Sequence, residues 1–206
     1  MSKSIPLRAH EAAAYAAGRL TQIRRVLKGS TEFAGPYNPA HLEAYKGHDG
    51  WSKICPYGSP GDTLALREGC RITFPEDEDC GPLITPPVWY IADGPCPADV
   101  NGAYGKVKPA TQMPLWAVRW HPVITAVRLE RVQSASNIDF QRLGLVDESY
   151  ENPNDAWDQF YFRYEVPYRK QFTRDNPRTP WESNPWCWVL DINNKNCPVY
   201  GRGDKA

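Results

Sequence analysis

The chain has 206 residues, of which 41% are hydrophobic and 12% aromatic, so it is long and apolar enough to bury a core and is not a disordered tail. Lys plus Arg and Asp plus Glu number 24 each, which excludes a strongly basic protein that coats long stretches of nucleic acid and restricts any such contact to a local patch or pocket. The 15 glycines and 20 prolines predict a loop-rich fold that contains β-structure.

The first predicted element is a helix over residues 8 to 17, RAHEAAAYAA, because alanine has the highest helix propensity and Gly18 is placed to end it. TQIRRV leaves this helix and is a strand candidate. Residues 29 to 50 predict a long loop. After the turn formers YGSPGD, the segment TLALRE predicts a half-buried strand, with Leu64 and Leu66 on one face and Ala65 and Arg67 on the other.

The acidic, proline-rich residues 74 to 87 predict an exposed loop, VWYIA at 88 to 92 a short strand, and residues 93 to 112 another loop. Residues 123 to 132 are the best strand candidate, because β-branched residues accompany the alternation of Val127 and Leu129. NIDFQRLGL predicts a short helix, capped by Asn137 and ended near Gly144.

Residues 152 to 166 have a helical period, whereas the charged residues 165 to 180 suggest a mobile segment without a predicted element. WESNPWCWVLDI ends in an apolar strand with Trp186 and Trp188 on one face. The elements predict an α+β fold around a small curled sheet or barrel. We expect one domain over residues 1 to 192, with insertions near 29–50, 74–87 and 93–112, and a polar tail over 193–206.

Two further absences in the sequence bear on location and chemistry. No apolar run reaches the roughly 20 residues that span a membrane, and the opening MSKSIPLRAHE lacks the apolar core of a signal peptide, so we expect a cytoplasmic protein without membrane contact. The cysteines lie at positions 55, 70, 80, 96, 187 and 197, and without a secretory signal we expect their thiols to be reduced. No pair of them has CxxC spacing, so we predict no metal site, and we expect no cofactor.

Four segments resemble blocks of ASCH-domain proteins, a branch of the PUA-like superfamily that is common in phages and prophages. AAGRLTQIRR resembles the family's GRKTQTRR opening, and CPYGSPGDTLALRE resembles its GDRLWVRE strand. MPLWAVRWHPVITAVRLERVQ resembles MPRWASRITLEVTDVRVERLQ, and WESNPWCWVLDI resembles the closing WEANPWVWVI strand. The blocks occur in family order and span residues 5 to 192.

The resemblance implies a small β-barrel with helices at its mouth and a cleft suited to a base or nucleotide. PUA-like relatives bind RNA or modified bases, and some ASCH proteins are amidohydrolases that remove an acyl group from N4-acylated cytidine. This chain departs from that enzyme branch at three positions. The catalytic lysine falls at Leu20, the threonine at about Ile23 and the glutamate at Leu143, so the resemblance implies that this proton-transfer chemistry is missing.

The first candidate site is an anion or nucleotide clamp in the opening stretch, formed by Gly18, Arg19, Thr21, Arg24 and Arg25. The guanidinium fork of arginine suits phosphates and base edges. The alternative is a solvated turn whose arginines pair with Glu11, Glu68 or Glu130. Arg67 is a further pocket candidate. Glu68 is a weak candidate for a catalytic acid or base, as Thr21 is for a catalytic hydroxyl, but a structural ion pair is favoured for Glu68.

The other candidates are aromatic or amide side chains. Trp116, Arg119, Trp120 and His121 form an aromatic-basic stretch that can stack on bases, although tryptophans more often fill cores. Trp181 and Asn184 belong to a turn that we expect at a barrel mouth, where the amide can recognise a base edge.

Three functions remain open from the sequence. The favoured hypothesis is recognition of RNA or a nucleotide, with or without a modified base, by a module without covalent chemistry; DNA is a further candidate ligand. The second is hydrolysis of a modified nucleoside or of RNA. The third is an accessory phage protein whose partner is another protein, bound through the acidic loop at 74 to 80 and the aromatic segment at 157 to 168.

Overall fold

The structure is a computed structural model, and it describes residues 3–27, 55–73, 88–96, 104–146 and 160–194. Its strands are β1 (Lys3–Pro6), β2 (Gln22–Val26), β3 (Leu64–Arg67), β4 (Cys70–Ile72), β5 (Val88–Tyr90), β6 (Ile124–Arg131) and β7 (Trp186–Ile192). Its α-helices are α1 (Ala9–Ala16), α2 (Asn137–Arg142) and α3 (Val166–Asp175). The α+β class is therefore confirmed. Within these ranges, no helix is both long and apolar enough to cross a lipid bilayer.

The largest sheet has the order β2–β7–β6 and is antiparallel. Two smaller sheets have two strands each: β1 and β3 form a parallel pair, and β4 and β5 form an antiparallel pair. Backbone hydrogen bonds from Leu64 to Pro122 (2.9 Å) and from Leu66 to Trp120 (3.0 Å) attach β3 to the segment that leads into β6. Among the described residues no strand pairing joins β1 to β2, so the sheets do not form a closed barrel there.

Every residue of β7 is buried, because both faces of this central strand are covered. Trp186, Trp188, Leu190 and Ile192 point into the main core, which α1 covers on its Ala12, Ala14 and Tyr15 side. Cys187 on the opposite face joins a second cluster with residues of α2 and α3. The prediction that Trp186 and Trp188 share one face is confirmed, and both side chains belong to the core.

Helix ends follow the local sequence, with one correction. Helix α1 is followed by Gly18 at φ 75°, a left-handed position that glycine tolerates best, as predicted. The cap of α2 is Ser136 and not Asn137: the Ser136 hydroxyl accepts from the Asp139 N–H, and the Asp139 carboxylate accepts from the Ser136 N–H at 2.8 Å. The reciprocal capping box places the helix start one residue earlier than predicted.

Two strand predictions need refinement. Strand β3 forms as predicted, but Ala65 is buried as well as Leu64 and Leu66, so the strand is not half-buried. Ala65 packs in a third cluster with Cys70, Val88, Met113, Ala117 and Val118. The strand predicted over 88 to 92 ends at Tyr90, where a 3-10 turn, Ile91–Asp93, begins.

Helix α3 contradicts the prediction that residues 165 to 180 form no element. A π-helical turn, Tyr161–Glu165, leads directly into this helix. Pro167 is the second residue of α3, directly after the π-helical turn, and Tyr168 and Phe172 are buried at i, i+4 spacing. The charged residues between them concealed this pattern. The loops predicted at 29–50 and 74–87, and most of the helix predicted at 152–166, lie outside the described residues.

Gly144 ends α2 in a left-handed conformation with φ 71°. A Cβ added there would lie 2.9 Å from the Cβ of Ala14 and 3.1 Å from the Leu20 nitrogen. We expect Gly144→Ala to lower the free energy of unfolding by roughly 3 kcal/mol, from backbone strain of about 1–2 kcal/mol and overpacking of about 1–3 kcal/mol. Gly61→Ala is the matched control, because Gly61 has φ 92° but open space around it. If urea denaturation shows that Gly144→Ala and Gly61→Ala lower the free energy of unfolding equally, the steric contribution at Gly144 is contradicted.

Candidate functional site

The structure separates the two adjacent arginines of the proposed clamp. Arg24 and Arg25 are consecutive residues of β2, and consecutive side chains of a strand point to opposite faces of the sheet. Arg25 faces α1, where its guanidinium donates to Glu11 at 2.6 and 2.7 Å and to the Pro6 carbonyl at 3.0 Å. Because the two side chains lie on different faces of β2, a single bound ligand does not contact both of them.

Arg24 belongs to a buried polar network on the other face of the sheet. Its Nε donates to Gln22 at 3.0 Å, and its Nη2 lies 3.2 Å from Glu130 and 3.4 Å from Asp139. Gln22 in turn donates to Asp139 at 2.7 Å and to Asp191 at 2.9 Å. Burial alone would raise the pKa of Asp139, but hydrogen bonds from Gln22 and Ser136 and the charge of Arg24 lower it. This network therefore holds the Nε and Nη2 groups of Arg24 in contacts within the protein.

Arg25 pairs with Glu11 and Arg24 with Glu130, as the second alternative expected. The expected solvated turn is wrong, however, because both arginines belong to a strand and Arg24 is buried. Arg19 is exposed in the turn after α1, whereas Thr21 is buried and its backbone N–H donates to the Arg142 carbonyl at 2.9 Å. Leu20 and Leu143 are both buried and line one small cavity beside Arg24. Leucine side chains in that cavity supply no proton donor or acceptor.

Glu68 forms an ion pair with an arginine that the sequence analysis did not assign to it. The carboxylate is fully buried and accepts from Arg119 Nε at 2.7 Å and from Arg119 Nη2 at 3.1 Å. Arg119 also donates to both oxygens of Asp93, at 2.8 and 2.7 Å. Burial raises the pKa of Glu68, and the hydrogen bonds from Arg119 offset only part of that rise.

The guanidinium of Arg119 lies between two aromatic rings. Its Cζ is 3.9 Å from the ring centre of Tyr90 and 4.3 Å from that of Trp120. Burial alone would lower the pKa of Arg119, but the hydrogen bonds to Asp93 and Glu68 raise it. The stacked plane and the two carboxylates fix the side chain in one orientation, so Arg119 forms a rigid wall.

A cleft of about 290 Å³ opens beside this wall, where β6 begins and β7 ends. It is lined by Tyr15, Arg119, Trp120, His121, Pro122, Asn193 and Asn194. The rings of Tyr15 and Trp120 are 5.0 Å apart, and burial raises the pKa of Tyr15 to about 12, so its hydroxyl stays protonated at neutral pH. His121 is exposed at the opening. The cleft combines aromatic surface with amide and imidazole hydrogen-bonding groups.

Asn193 and Asn194 were assigned to a polar tail, and the sequence reasoning did not associate them with a site. Asn194 is fully buried and donates to the carbonyls of Tyr15 at 3.0 Å and Leu20 at 3.1 Å, while Asn193 accepts from the Val123 N–H at 2.7 Å. The described fold therefore continues two residues beyond Ile192. The run of two asparagines directly after an apolar strand was the available signal.

The remaining predicted site residues do not gather in this cleft. Arg67 donates to the Thr111 carbonyl at 3.1 Å, and Trp116 is 65% exposed on a 3-10 turn, Leu115–Ala117. Trp181 is buried against α3, and Asn184 adopts a left-handed turn with φ 44°. Asn184 accepts from the Gln133 N–H at 3.1 Å, which ties the other end of the β6–β7 pair.

The cleft and the Trp181–Asn184 turn therefore lie at opposite ends of β6 and β7. Eight residues of β6 separate them, which corresponds to roughly 25 Å along the strand at about 3.3 Å per residue. Comparison of the chain with protein-family models, with curated proteins and with solved structures finds no match.

Proposed function

We propose that this chain recognises a nucleotide or nucleobase of RNA in the cleft lined by Tyr15, Trp120 and His121. The observation that carries the proposal is the aromatic ring of Trp120, held against the fixed Arg119, in a cleft of about 290 Å³ that also contains the half-buried Asn193 amide and the exposed His121. Aromatic faces stack on bases of any sequence, and amides and imidazoles form hydrogen bonds with base edges.

The charge around the cleft favours a base over a phosphate. The positive charge of Arg119 is already matched by Glu68 and Asp93, so the guanidinium offers little to a further anion. A neutral base or nucleoside does not require a cation whose charge is still unmatched. The ligand that fits this chemistry is therefore an uncharged ring with polar edges, including a modified base.

We further propose that the chain is an ASCH domain of the PUA-like superfamily, built on a small barrel. The order of the four sequence blocks supports this assignment, as do the backbone hydrogen bonds that attach β3 to the segment before β6. The Arg25 guanidinium adds a link between β2 and the Pro6 carbonyl of β1, at the seam that backbone pairing leaves open among the described residues. A barrel brings the ends of β6 and β7 to its mouth.

Binding of nucleosides and short RNA tests the proposed function. We expect His121→Ala to weaken the binding of a mononucleotide about fivefold to tenfold without lowering the melting temperature, because this imidazole is exposed at the cleft opening and a lost hydrogen bond contributes about 1 kcal/mol. The measurement is titration calorimetry with nucleoside monophosphates, including modified cytidines.

Gln141→Ala is the matched control, since Gln141 is exposed on α2 and does not line the cleft. Equal mononucleotide affinity in His121→Ala and the wild type would contradict the assignment of the cleft. Mass spectrometry of the titrated modified cytidines separates recognition from turnover, because a hydrolase releases the acyl group whereas a recognition module leaves the ligand intact.

Hydrolysis and a protein partner are the alternative proposals. Hydrolysis depends on Glu68, whose two oxygens are both occupied by Arg119, and on Thr21, which is buried. A protein partner has some support from the exposed side chains of Val107, Leu115 and Trp116, each 60–65% accessible. The acidic loop at 74 to 80 lies outside the described residues.

A further inference from the structure

A second groove lies at the other end of β6 and β7, between α3 and the 3-10 turn Trp181–Ser183. Its volume is about 470 Å³, and it is lined by Tyr161, Val166, Arg169, Lys170, Thr173 and Glu182. Val166, Arg169, Lys170 and Thr173 form one stripe of α3, because residues three, four and seven positions apart share a helix face. The groove is thus built from one helix face and one turn.

The groove region is basic, although the chain as a whole is neutral. Residues 160–183 contain five Lys or Arg and three Asp or Glu. Two of those carboxylates have cationic partners: Asp175 lies 3.2 Å from Arg8 and Glu165 lies 3.8 Å from Arg169. Lys170 lines the groove and is exposed, and two further exposed cations of the same segment, Arg174 and Arg178, lie outside its lining. A positively charged groove with spaced cations suits a chain of phosphates.

Aromatic rings accompany these cations. The Arg169 guanidinium lies 5.5 Å from the ring centre of Trp181 and donates to the Tyr161 hydroxyl at 3.0 Å, so both its orientation and that of Tyr161 are fixed. Phe162 is 41% exposed in the π-helical turn that precedes α3. Such π-turns are frequent at functional sites, and interleaved aromatic and basic side chains are typical of single-strand binding surfaces.

Glu182 is the acidic residue of the groove lining, and its carboxylate bears on the choice between single-stranded RNA and single-stranded DNA. Its exposed carboxylate lines an otherwise basic groove, where it repels phosphate but accepts a hydrogen bond from a hydroxyl. The ribose 2′-hydroxyl is the group that RNA has and DNA lacks, and a carboxylate is a common partner for it. The combination of cations for phosphate with one acceptor for a hydroxyl therefore favours RNA.

We propose that this groove binds the sugar–phosphate backbone of single-stranded RNA, as a second contact for a strand whose base occupies the cleft. The proposal builds on the nucleotide-recognition function proposed above and extends it to a distant surface. The cleft offers an already neutralised arginine, whereas the groove offers exposed cations, so the two sites divide base recognition from backbone binding. The separation of roughly 25 Å along β6 means that an oligonucleotide reaches both sites and a mononucleotide only one.

The test compares a single-stranded RNA of about 12 nucleotides with a mononucleotide. We expect Lys170→Ala combined with Arg174→Ala to weaken RNA binding about tenfold and to reduce the salt slope by about 1.4, since each phosphate contact in a single strand contributes about 0.7. Mononucleotide affinity stays unchanged. Both side chains are exposed on a helix and alanine favours helices, so we expect the fold to be retained, as circular dichroism would show.

Lys106→Ala combined with Lys108→Ala is the matched control, because it removes the same charge from exposed positions outside the groove. If RNA affinity and salt slope fall equally in the two double variants, the proposed RNA-binding groove is overturned and the effect is one of general charge. Loss of mononucleotide binding in His121→Ala with no effect of the groove variant would also overturn the groove, but would leave the proposed function standing. RNA binding that depends on the groove, with no mononucleotide binding, supports the groove and overturns the cleft.

Glu182→Ala tests the choice of RNA over DNA of the same sequence containing deoxyuridine. We expect the wild type to prefer RNA at least fivefold and the variant to lose that preference, because the ratio cancels the effect of the removed charge on both strands. Equal affinity of the wild type for RNA and DNA would overturn the commitment to RNA.

Discussion

Glu11→Gln is expected to lower the free energy of unfolding by about 3–5 kcal/mol, the typical cost of breaking a buried ion pair. Glu11 is 6% exposed and receives two hydrogen bonds from Arg25 and one from the backbone N–H of Arg8 at 2.8 Å. A neutral amide leaves the Arg25 guanidinium, whose side chain is 11% exposed, without its countercharge. Denaturation with guanidinium chloride at pH 7 measures this loss in the free energy of unfolding.

The same pair gives the wild type a specific pH dependence. Burial alone would raise the pKa of Glu11, but the charge and hydrogen bonds of Arg25 outweigh burial and lower it. A carboxyl group whose pKa is lower in the folded than in the unfolded state stabilises the fold above its unfolded pKa of about 4.3. That contribution is lost as the pH falls through the folded pKa, and Glu11→Gln should flatten this acid limb.

Glu182→Gln is the control for this experiment, because Glu182 is exposed and such changes stay within about 0.5 kcal/mol. A loss below about 1 kcal/mol in Glu11→Gln would show that the pair does not stabilise the fold. The result also affects any test of the opening arginines. If Arg25 stabilises α1 against β1 and β2, reduced ligand binding in Arg24 and Arg25 variants must be corrected for unfolded protein.

Glu68→Ala is expected to lower the free energy of unfolding by about 3 kcal/mol, because it removes a fully buried partner of Arg119 and leaves a cavity. Arg119 keeps Asp93, so the loss stays at the lower end of the range for broken pairs. Without Glu68, only Asp93 holds the guanidinium between Tyr90 and Trp120, so its orientation is less fixed and binding in the cleft should weaken as well. Urea denaturation and mononucleotide titration measure the two effects.

Glu68→Gln separates a structural from a catalytic carboxylate. The amide keeps the shape of Glu68 and one acceptor for Arg119, whose charge Asp93 still matches, so the loss of one hydrogen bond should cost only about 1 kcal/mol. A structural Glu68 therefore predicts a mild stability loss and no product from N4-acetylcytidine in either protein. Turnover in the wild type that disappears in Glu68→Gln would favour the hydrolase alternative.

Local features of the sequence predicted much of the fold. The alanines before Gly18 defined α1, and the alternation around Val127 and Leu129 defined β6, because these signals depend on neighbours within one element. Helix α3 was missed for the opposite reason. Its stability depends on Tyr168 and Phe172 packing against Trp181 and Phe140, and those contacts come from other parts of the chain.

The candidate site was less predictable, because partners depend on pairing between distant strands. The sequence suggested one cluster of arginines, but strand alternation sends Arg24 and Arg25 to opposite faces. Arg119, Trp181 and Asn184 were all candidates for nucleotide binding, whereas the length of β6 separates Arg119 from the other two. The pairing of Glu68 with Arg119 crosses 51 residues of chain, and no local pattern encodes it.

The position of β7 at the centre of its sheet has a consequence for how the protein folds. This strand follows all other described strands along the chain, yet β2 and β6 bind to it and not to each other. The buried amide of Gln22 donates to Asp191, which is synthesised 169 residues later. During synthesis the edges of β2 and β6 therefore stay unpaired until β7 is made, so this sheet forms late, with the slow kinetics and exposure to aggregation that long-range strand pairing brings.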